Sequence, residues 1–289
     1  MMPPVTTATI VVGKHPHTIP LRTGEVAPEL LDLELVEVEP TNRAFAPMLR
    51  EGRYDISEIA ITVFFQAVEV RKPVWLLPVV AMGGFHHGSI YFNPTAGPLT
   101  AGELAGKRIA VRAYSQTTGL YVRGVLAEDH GVPADTITWI TTEGSHVAEY
   151  EDPPNVVRAE PGEALTDLLR EGRVDAAILG PGQAQEPWCV PLIPDADRAA
   201  REWGERHGLV PINHMVCVGP SIAQRPELTA DLLDTFRRGC DAAATPPGPA
   251  ITFDRDRIET ALAYALGLAR NQGLVTAGLD IPAMFAPQA

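Results

Sequence analysis

One phrase occurs twice in this chain of 289 residues. LREGRYDISEI (Leu49–Ile59) and LREGRVDAAIL (Leu169–Leu179) share a grammar. In each, a helix closes on Arg-Glu-Gly-Arg, and an Asp then opens a short buried strand. Gly52 and Gly172 suit the left-handed turn just past a helix end. Two copies at corresponding points predict two similar α/β lobes. Around them, strand-like runs such as Thr9–Val12, Trp75–Val80, Arg108–Val111 and Ala176–Leu179 alternate with helical patterns such as Glu58–Ala67 and Gly119–His130. Alternation of this kind predicts an α/β fold with largely parallel sheets. We expect a discontinuous first lobe over residues 1–93 and 214–289 and a second over 94–213, with a ligand cleft between them. The strands Ser89–Phe92 and Met215–Val218 would cross from one lobe to the other.

The segment KRIAVRAYSQTTGLYVRGVL (Lys107–Leu126) carries the clearest ligand signal. A β-branched run enters a turn of hydrogen-bonding side chains (Tyr114, Ser115, Gln116, Thr117, Thr118), and an apolar-periodic helix follows at once. The free N–H groups and positive dipole end of a helix N-terminus favour an anionic or oxygen-rich ligand. In open α/β sheets such a turn is where small molecules bind. An ordinary connection with a Ser/Thr cap would look the same. Arg112 adds positive charge at the strand end, whereas Arg123, one turn into the helix, would serve equally in a surface ion pair.

Composition closes off several function classes. A net charge of −13 and a pI near 5.0 argue against nucleic-acid partners and anionic membrane surfaces. No run approaches 18 apolar residues, and the first residues lack a basic stretch followed by a long apolar core, so a cytoplasmic protein is expected. Cys189, Cys217 and Cys240 are odd in number and widely spaced, which suits small core residues in a reducing compartment. There is no GxGxxG after the first strand, no Walker A pattern and no GxSxG, so no nucleotide cofactor or serine nucleophile is indicated. A homo-oligomer is compatible with the sequence.

Six segments together resemble one family: YDISEIAIT (Tyr54–Thr62), FHHGSIYFN (Phe85–Asn93), GKRIAVRAYSQTTGLYVRGVL (Gly106–Leu126), TITWI (Thr136–Ile140), PGEALTDLLREGRVDAAILGP (Pro161–Pro181) and HGLVPINHMVCV (His207–Val218). They are similar to 4,5-dihydroxyphthalate decarboxylases, collinearly and over most of the chain. The resemblance implies a type 2 periplasmic-binding-protein-like fold in a cytoplasmic enzyme. It also implies a cofactor-independent, non-oxidative decarboxylation of a small hydroxylated aromatic acid. Departures are informative. Where the family carries three arginines this chain has His17, Gly83 and His86. Arginine forks grip carboxylates bidentately, which neither histidine nor glycine reproduces. A changed substrate is therefore expected, such as a monoacid.

His15, His17, His86, His87 and His214 fall in segments that should line the cleft, and histidine titrates near neutral pH. One of them could protonate the ring carbon that loses CO2. His87 is the first candidate and His214 the second, because the family keeps histidine at both; His86 is their neighbour. Ser57 and Glu58 are expected to start a helix, either as cap and first-turn acid or as contacts of a substrate hydroxyl. A divalent metal on His15, His17 and His86 is the alternative; the resemblance implies no metal, and no cofactor is expected. The partner would be a small aromatic or carboxylated metabolite. Two rivals share this architecture: a chorismate-dehydratase-like lyase, and a non-catalytic solute-binding or sensing protein for a small carboxylate.

Overall fold

The computed structural model describes residues 6–180, 184 and 186–287; Pro181, at the end of one family-like segment, lies outside them. The chain begins with β1 (Thr6–Val11), α1 (Ile19–Thr23), β2 (Leu31–Leu35), α2 (Phe45–Glu51), β3 (Ile56–Ala60), α3 (Ile61–Glu69) and β4 (Trp75–Gly83). It continues with β5 (Ile90–Phe92), β6 (Arg108–Val111), α4 (Thr117–His130), β7 (Thr138–Thr141), β8 (Val156–Arg158), α5 (Leu165–Arg170), β9 (Ala176–Ile178), β10 (Val190–Pro191) and α6 (Ala196–His207). The return strand β11 (Ile212–Val218) is followed by α7 (Pro220–Ala223), α8 (Pro226–Asp241) and α9 (Arg255–Asn271).

Two sheets result, ordered β2-β1-β3-β11-β4 and β10-β5-β9-β6-β7-β8. This is the two-lobed α/β arrangement that the doubled phrase predicts. The sheets are mixed rather than largely parallel. β11 runs antiparallel to β3 and β4, and β5 runs antiparallel to β9 and β10. The cause is topological, since a strand crossing from the other lobe enters its sheet against the local direction. Strand pairing also moves the crossings: β5 belongs wholly to the second sheet and all of β11 to the first, so the sheets change ahead of residues 93 and 214.

The repeated phrase does the same work in both lobes. Gly52 (φ 58°) and Gly172 (φ 69°) take the left-handed turn after their helices. Asp55 then accepts a hydrogen bond from the backbone N–H of Thr9 in β1 (2.9 Å), and Asp175 accepts one from the N–H of Arg108 in β6 (2.9 Å). Each Asp thereby ties its own strand to the neighbouring strand of the lobe.

β3 is buried at every position, as a central strand covered on both faces must be. Ser57 and Glu58 lie within it, correcting the expectation that they start a helix. The polar pair is held by β-pairing to β11, and the helix begins only at Ile61. The largest apolar cluster runs through both lobes and includes Phe64, Phe65, Leu120, Trp139 and Leu262. α9 packs on α3, α4, β4 and β11 and so binds the lobes together. The two crossings meet at Gly84, whose N–H donates to the Pro211 carbonyl (2.9 Å), and the Tyr121 hydroxyl bonds the Ile212 backbone (3.2 Å). Among the described residues no helix is long and apolar enough to cross a membrane, and the three cysteines are free thiols.

Candidate functional site

A cavity of about 560 Å³ lies between the lobes. Its walls come from the loops after β2, β6 and β7, from the starts of α3 and α4, and from the crossings at Met82–His86 and Asn213–His214. Ligand contacts in open α/β sheets gather at such carboxyl-terminal strand ends.

Two helix N-termini open on this space. α3 (nine residues) and α4 (fourteen residues) begin at Ile61 and Thr117, and neither cap residue, Ala60 nor Gln116, makes a side-chain capping bond. Thr62 Oγ1 and Thr117 Oγ1, one from each first turn, stand 3.0 Å apart and join the helix starts across the cleft. The free N–H groups and dipoles of both helices therefore favour negative charge at one place. Ser115 Oγ, Gln116 Oε1, His86 Nε2 and Asn213 Oδ1 are buried polar atoms of the cleft wall with no hydrogen-bond partner. Buried polar groups ordinarily find partners; Gln116 Oε1 and Asn213 Oδ1 only accept, so with the Ser115 hydroxyl they match a ligand that brings hydroxyl donors.

Glu58 organises the inner side. It is 1% exposed, and its Oε2 accepts from the Gly13 N–H (2.8 Å) and from His15 Nε2 (2.9 Å), while its Oε1 accepts from His214 Nδ1 (2.6 Å). Burial opposes its ionisation, but the bonds from His15 and His214 outweigh that and hold the carboxyl far below the usual range. An ionised carboxylate only accepts, so His214 carries its proton on Nδ1. His214 Nε2 makes no hydrogen bond among the described residues, and the ring lines the cleft. Burial lowers the pKa of His15 while the bond to Glu58 raises it; the net shift is upward.

The structure brings together only part of the predicted set. Arg112, Ser115, Gln116, Thr117, Thr118, His86 and His214 line the cleft. Arg112 is tied to Glu143 (2.6 Å). His86 stacks on Tyr121 (5.3 Å); burial holds it neutral, with a pKa of about 4, and Asn213 sits beside it without completing a bond.

The others do not reach the cleft. Ser57 and Glu58 are buried behind it in β3. The Tyr114 ring is in the core, where its hydroxyl donates to the Gln272 carbonyl (3.0 Å). His17 is buried against His15 (5.5 Å) with both ring nitrogens unpartnered, and burial and His15 lower its pKa to about 4. His87 lines a neighbouring cavity of about 550 Å³ together with Tyr91, Ala196 and Arg201; the crossing turns its ring to the opposite side from His86. A metal set of His15, His17 and His86 is not assembled, because Glu58 takes His15 and Tyr121 stacks on His86. Among the described residues no group of three or more His, Cys, Asp or Glu side chains is placed to hold a metal ion. Arg123 is no surface residue either. It is 1% exposed, lies 4.0 Å over the Tyr114 ring, and donates to Gln272 Oε1 (2.5 Å) and the Tyr114 carbonyl (2.8 Å).

Sequence reasoning passed over Phe45, His146 and Asn213, all of which line the cleft. His146 and Asn213 had a usable signal: one follows β7 at its carboxyl end, the other precedes His214 in a crossing strand.

No family model matches the chain. Among curated proteins, a 4,5-dihydroxyphthalate decarboxylase from Comamonas testosteroni is 29% identical over 256 residues, 82% of this chain and 75% of the relative. Another from Pseudomonas putida is 30% identical over 210 residues, 67% of this chain and 80% of the relative. The chain belongs to the 4,5-dihydroxyphthalate decarboxylase family. Solved structures give the fold of this family member. The aliphatic sulphonate binding protein SsuA from Escherichia coli superposes with a TM-score of 0.57 at 13% identity, over 99% of this chain and 94% of its own. The desulfurization enzyme DSZB gives 0.60 at 13% identity, over 98% and 96%. A DSZB mutant in complex with biphenyl-2-sulfinic acid gives 0.58 at 14% identity, over 98% and 96%. The two-lobed periplasmic-binding-protein fold of these solved structures is thus the fold of this chain.

Proposed function

We propose that this protein is a cytoplasmic, cofactor-independent carbon–carbon lyase that removes CO2 from a small hydroxylated aromatic acid, with His214 as the proton donor. The observation that carries the reading is the His214–Glu58 pair: a cleft-lining imidazole fixed in one tautomer by a buried carboxylate. A ring hydroxyl raises the electron density of the ring. Protonated His214 delivers its Nε2 proton to the ring carbon that bears the carboxylate, forming a C–H bond. The bond from that carbon to the carboxylate then breaks, its electron pair restores the aromatic ring, and CO2 leaves. Solvent returns the proton to His214, so the net change is one proton consumed and one CO2 released.

The expected substrate carries fewer carboxylates than phthalate. Arg112 is the only arginine or lysine among the described cleft residues, and Glu143 already engages it. The paired helix N-termini suit one carboxylate, whereas a second would lack a cation to offset its desolvation. The unmet Asn213 Oδ1 and Gln116 Oε1 suit hydroxyl donors. Of the solved proteins of this fold, one is named for an aliphatic sulphonate and one is in complex with biphenyl-2-sulfinic acid, so the fold takes small organic acids, which supports this reading.

The test is CO2 release from a panel of hydroxybenzoates and 4,5-dihydroxyphthalate. His214→Ala should lower turnover by about a hundredfold or more with ligand binding kept, the scale of a lost general acid. His87→Ala should lower it far less, since its ring faces another cavity. A second reading, a solute-binding protein, is favoured by the shared fold of SsuA. Tight binding of an acid with no CO2 release by the unaltered protein would establish it and end the lyase reading.

A further inference from the structure

His146 reaches the cleft on a segment that belongs to one lobe and is fastened to the other. The segment follows β7 in the second sheet, where the N–H groups of Thr142 and Glu143 donate to the Arg112 carbonyl (3.1 and 2.7 Å). Its far side is held by the first lobe. Arg50 of α2 donates from Nε to the His146 carbonyl (2.8 Å) and from Nη2 to the Ser145 carbonyl (3.0 Å). Ser145 Oγ donates to Gln66 Oε1 of α3 (3.0 Å), and Lys72 pairs with Glu149 (2.6 Å). Val147, 1% exposed, seats the segment in the core.

The side chain so placed lines the cavity. Its ring meets Phe45 edge-on at 5.5 Å, and the ring of His214 meets the same phenyl edge-on at 5.3 Å. One aromatic residue thus sets the position of two cleft imidazoles from different lobes. The chemistry of His146 differs from that of His214. No carboxylate bonds its ring, and burial together with Arg112 keeps it neutral, with a pKa of about 4. A neutral imidazole donates from one nitrogen and accepts at the other, which suits a hydroxyl group.

We propose that His146 is a specificity-determining residue that reads a ring hydroxyl of the substrate, and that Arg50 positions it by clasping residues 142–150 to the first lobe. The proposal rests on reading the cleft as a site for a hydroxylated aromatic acid. A site built to bond a hydroxyl rejects the analogue lacking it, because a buried polar group is then left unpaired.

Calorimetric titration of the full chain with 3,4-dihydroxybenzoate and with benzoate tests it. The unaltered protein should prefer the hydroxylated acid. His146→Ala should cut that preference by about tenfold while changing benzoate affinity by less than about twofold, the scale of one hydrogen bond. His146→Gln, which keeps a donor and an acceptor, should recover part of it. Arg50→Ala keeps the imidazole itself but releases the segment that positions it, so it should lower the preference and raise deuterium uptake across residues 142–150. Equal weakening of both acids in the His146 variants, or an unchanged preference, overturns the proposal and leaves the cleft reading standing. An unaltered protein that binds neither acid overturns both.

Discussion

His214 Nδ1 and Glu58 Oε1 stand 2.6 Å apart across adjacent strands, β11 and β3, deep in the first lobe. Glu58→Gln keeps the shape and removes the charge. Turnover is expected to fall by about a hundredfold or more, because an amide can turn its NH2 to the imidazole and no longer fixes one tautomer or stabilises the imidazolium. Stability should fall by about 1.5–3 kcal/mol, the scale of weakened hydrogen bonds to a charged group. Steady-state kinetics on protein shown to be folded by urea titration separates the two effects; unchanged turnover would rule out His214 as proton donor.

Partly and fully buried imidazoles set the acid limit of the fold. His17, His86 and His146 have folded pKa values of about 4 against 6.5 for the free side chain, and burial lowers His87 as well. Between those values the unfolded chain binds more protons, so stability drops as the pH falls from 6.5 towards 4 and then levels off on their account. Glu58, with its lowered pKa, continues the loss at lower pH. His15 acts in the opposite sense: its pKa is raised, so its contribution is complete below 6.5 and fades as the pH rises through its folded value. Urea unfolding at several pH values should show the net slope, and His17→Leu should flatten it. A slope unaffected by that substitution would contradict the assignment.

Gly83 marks a crossing with no room to spare. A Cβ there would lie 2.5 Å from the Pro211 carbonyl oxygen and 2.7 Å from Ala250 Cβ. Gly83→Ala is expected to destabilise by about 1–3 kcal/mol, as overpacking does. Gly83→Arg should be worse still. Thermal unfolding midpoints of the two variants check this; a Gly83→Ala protein as stable as the parent would refute the packing argument.

Arg123 holds the ligand wall from behind. Its Nη2 bonds the Tyr114 carbonyl next to Ser115, and its guanidinium lies flat on the Tyr114 ring. Lysine cannot reproduce a fork that stacks and donates twice. Arg123→Lys should cost about 2–3 kcal/mol for a buried charge-assisted bond. It should also raise KM more than it lowers kcat, since the wall binds substrate and takes no proton. Equal loss in kcat and an unchanged KM would argue against this role.

Much of this architecture was legible in the sequence, and the misses have physical causes. The doubled phrase announced the two lobes, because a glycine past a helix end and an Asp at a strand start act locally. Ser115 to Thr118 were readable as a cleft wall for the same reason, since a turn before an amphipathic helix fixes where its side chains go. Glu58 was misread as a helix start, because a carboxylate inside a buried strand makes sense only beside His15 and His214, which are far away in sequence. His86 and His87 look alike on paper. Adjacent residues at a crossing point to opposite sides, and only the fold says which side is the cleft. His146 was passed over because what brings it inward, Arg50, lies in the other lobe.

Gln272, just past α9, accepts from the Tyr114 hydroxyl through its carbonyl and from Arg123 through its Oε1, and donates to the Leu120 carbonyl from its amide (3.0 Å). Every strand of both sheets is complete by Val218, yet the turn at Ser115–Thr118 in the cleft wall is braced by a residue more than fifty positions later. The brace of the cleft and the packing that joins the lobes therefore share one helix. A cut just ahead of α9 should loosen the two lobes and the ligand turn together, so that thermal stability and ligand binding are lost in the same truncation.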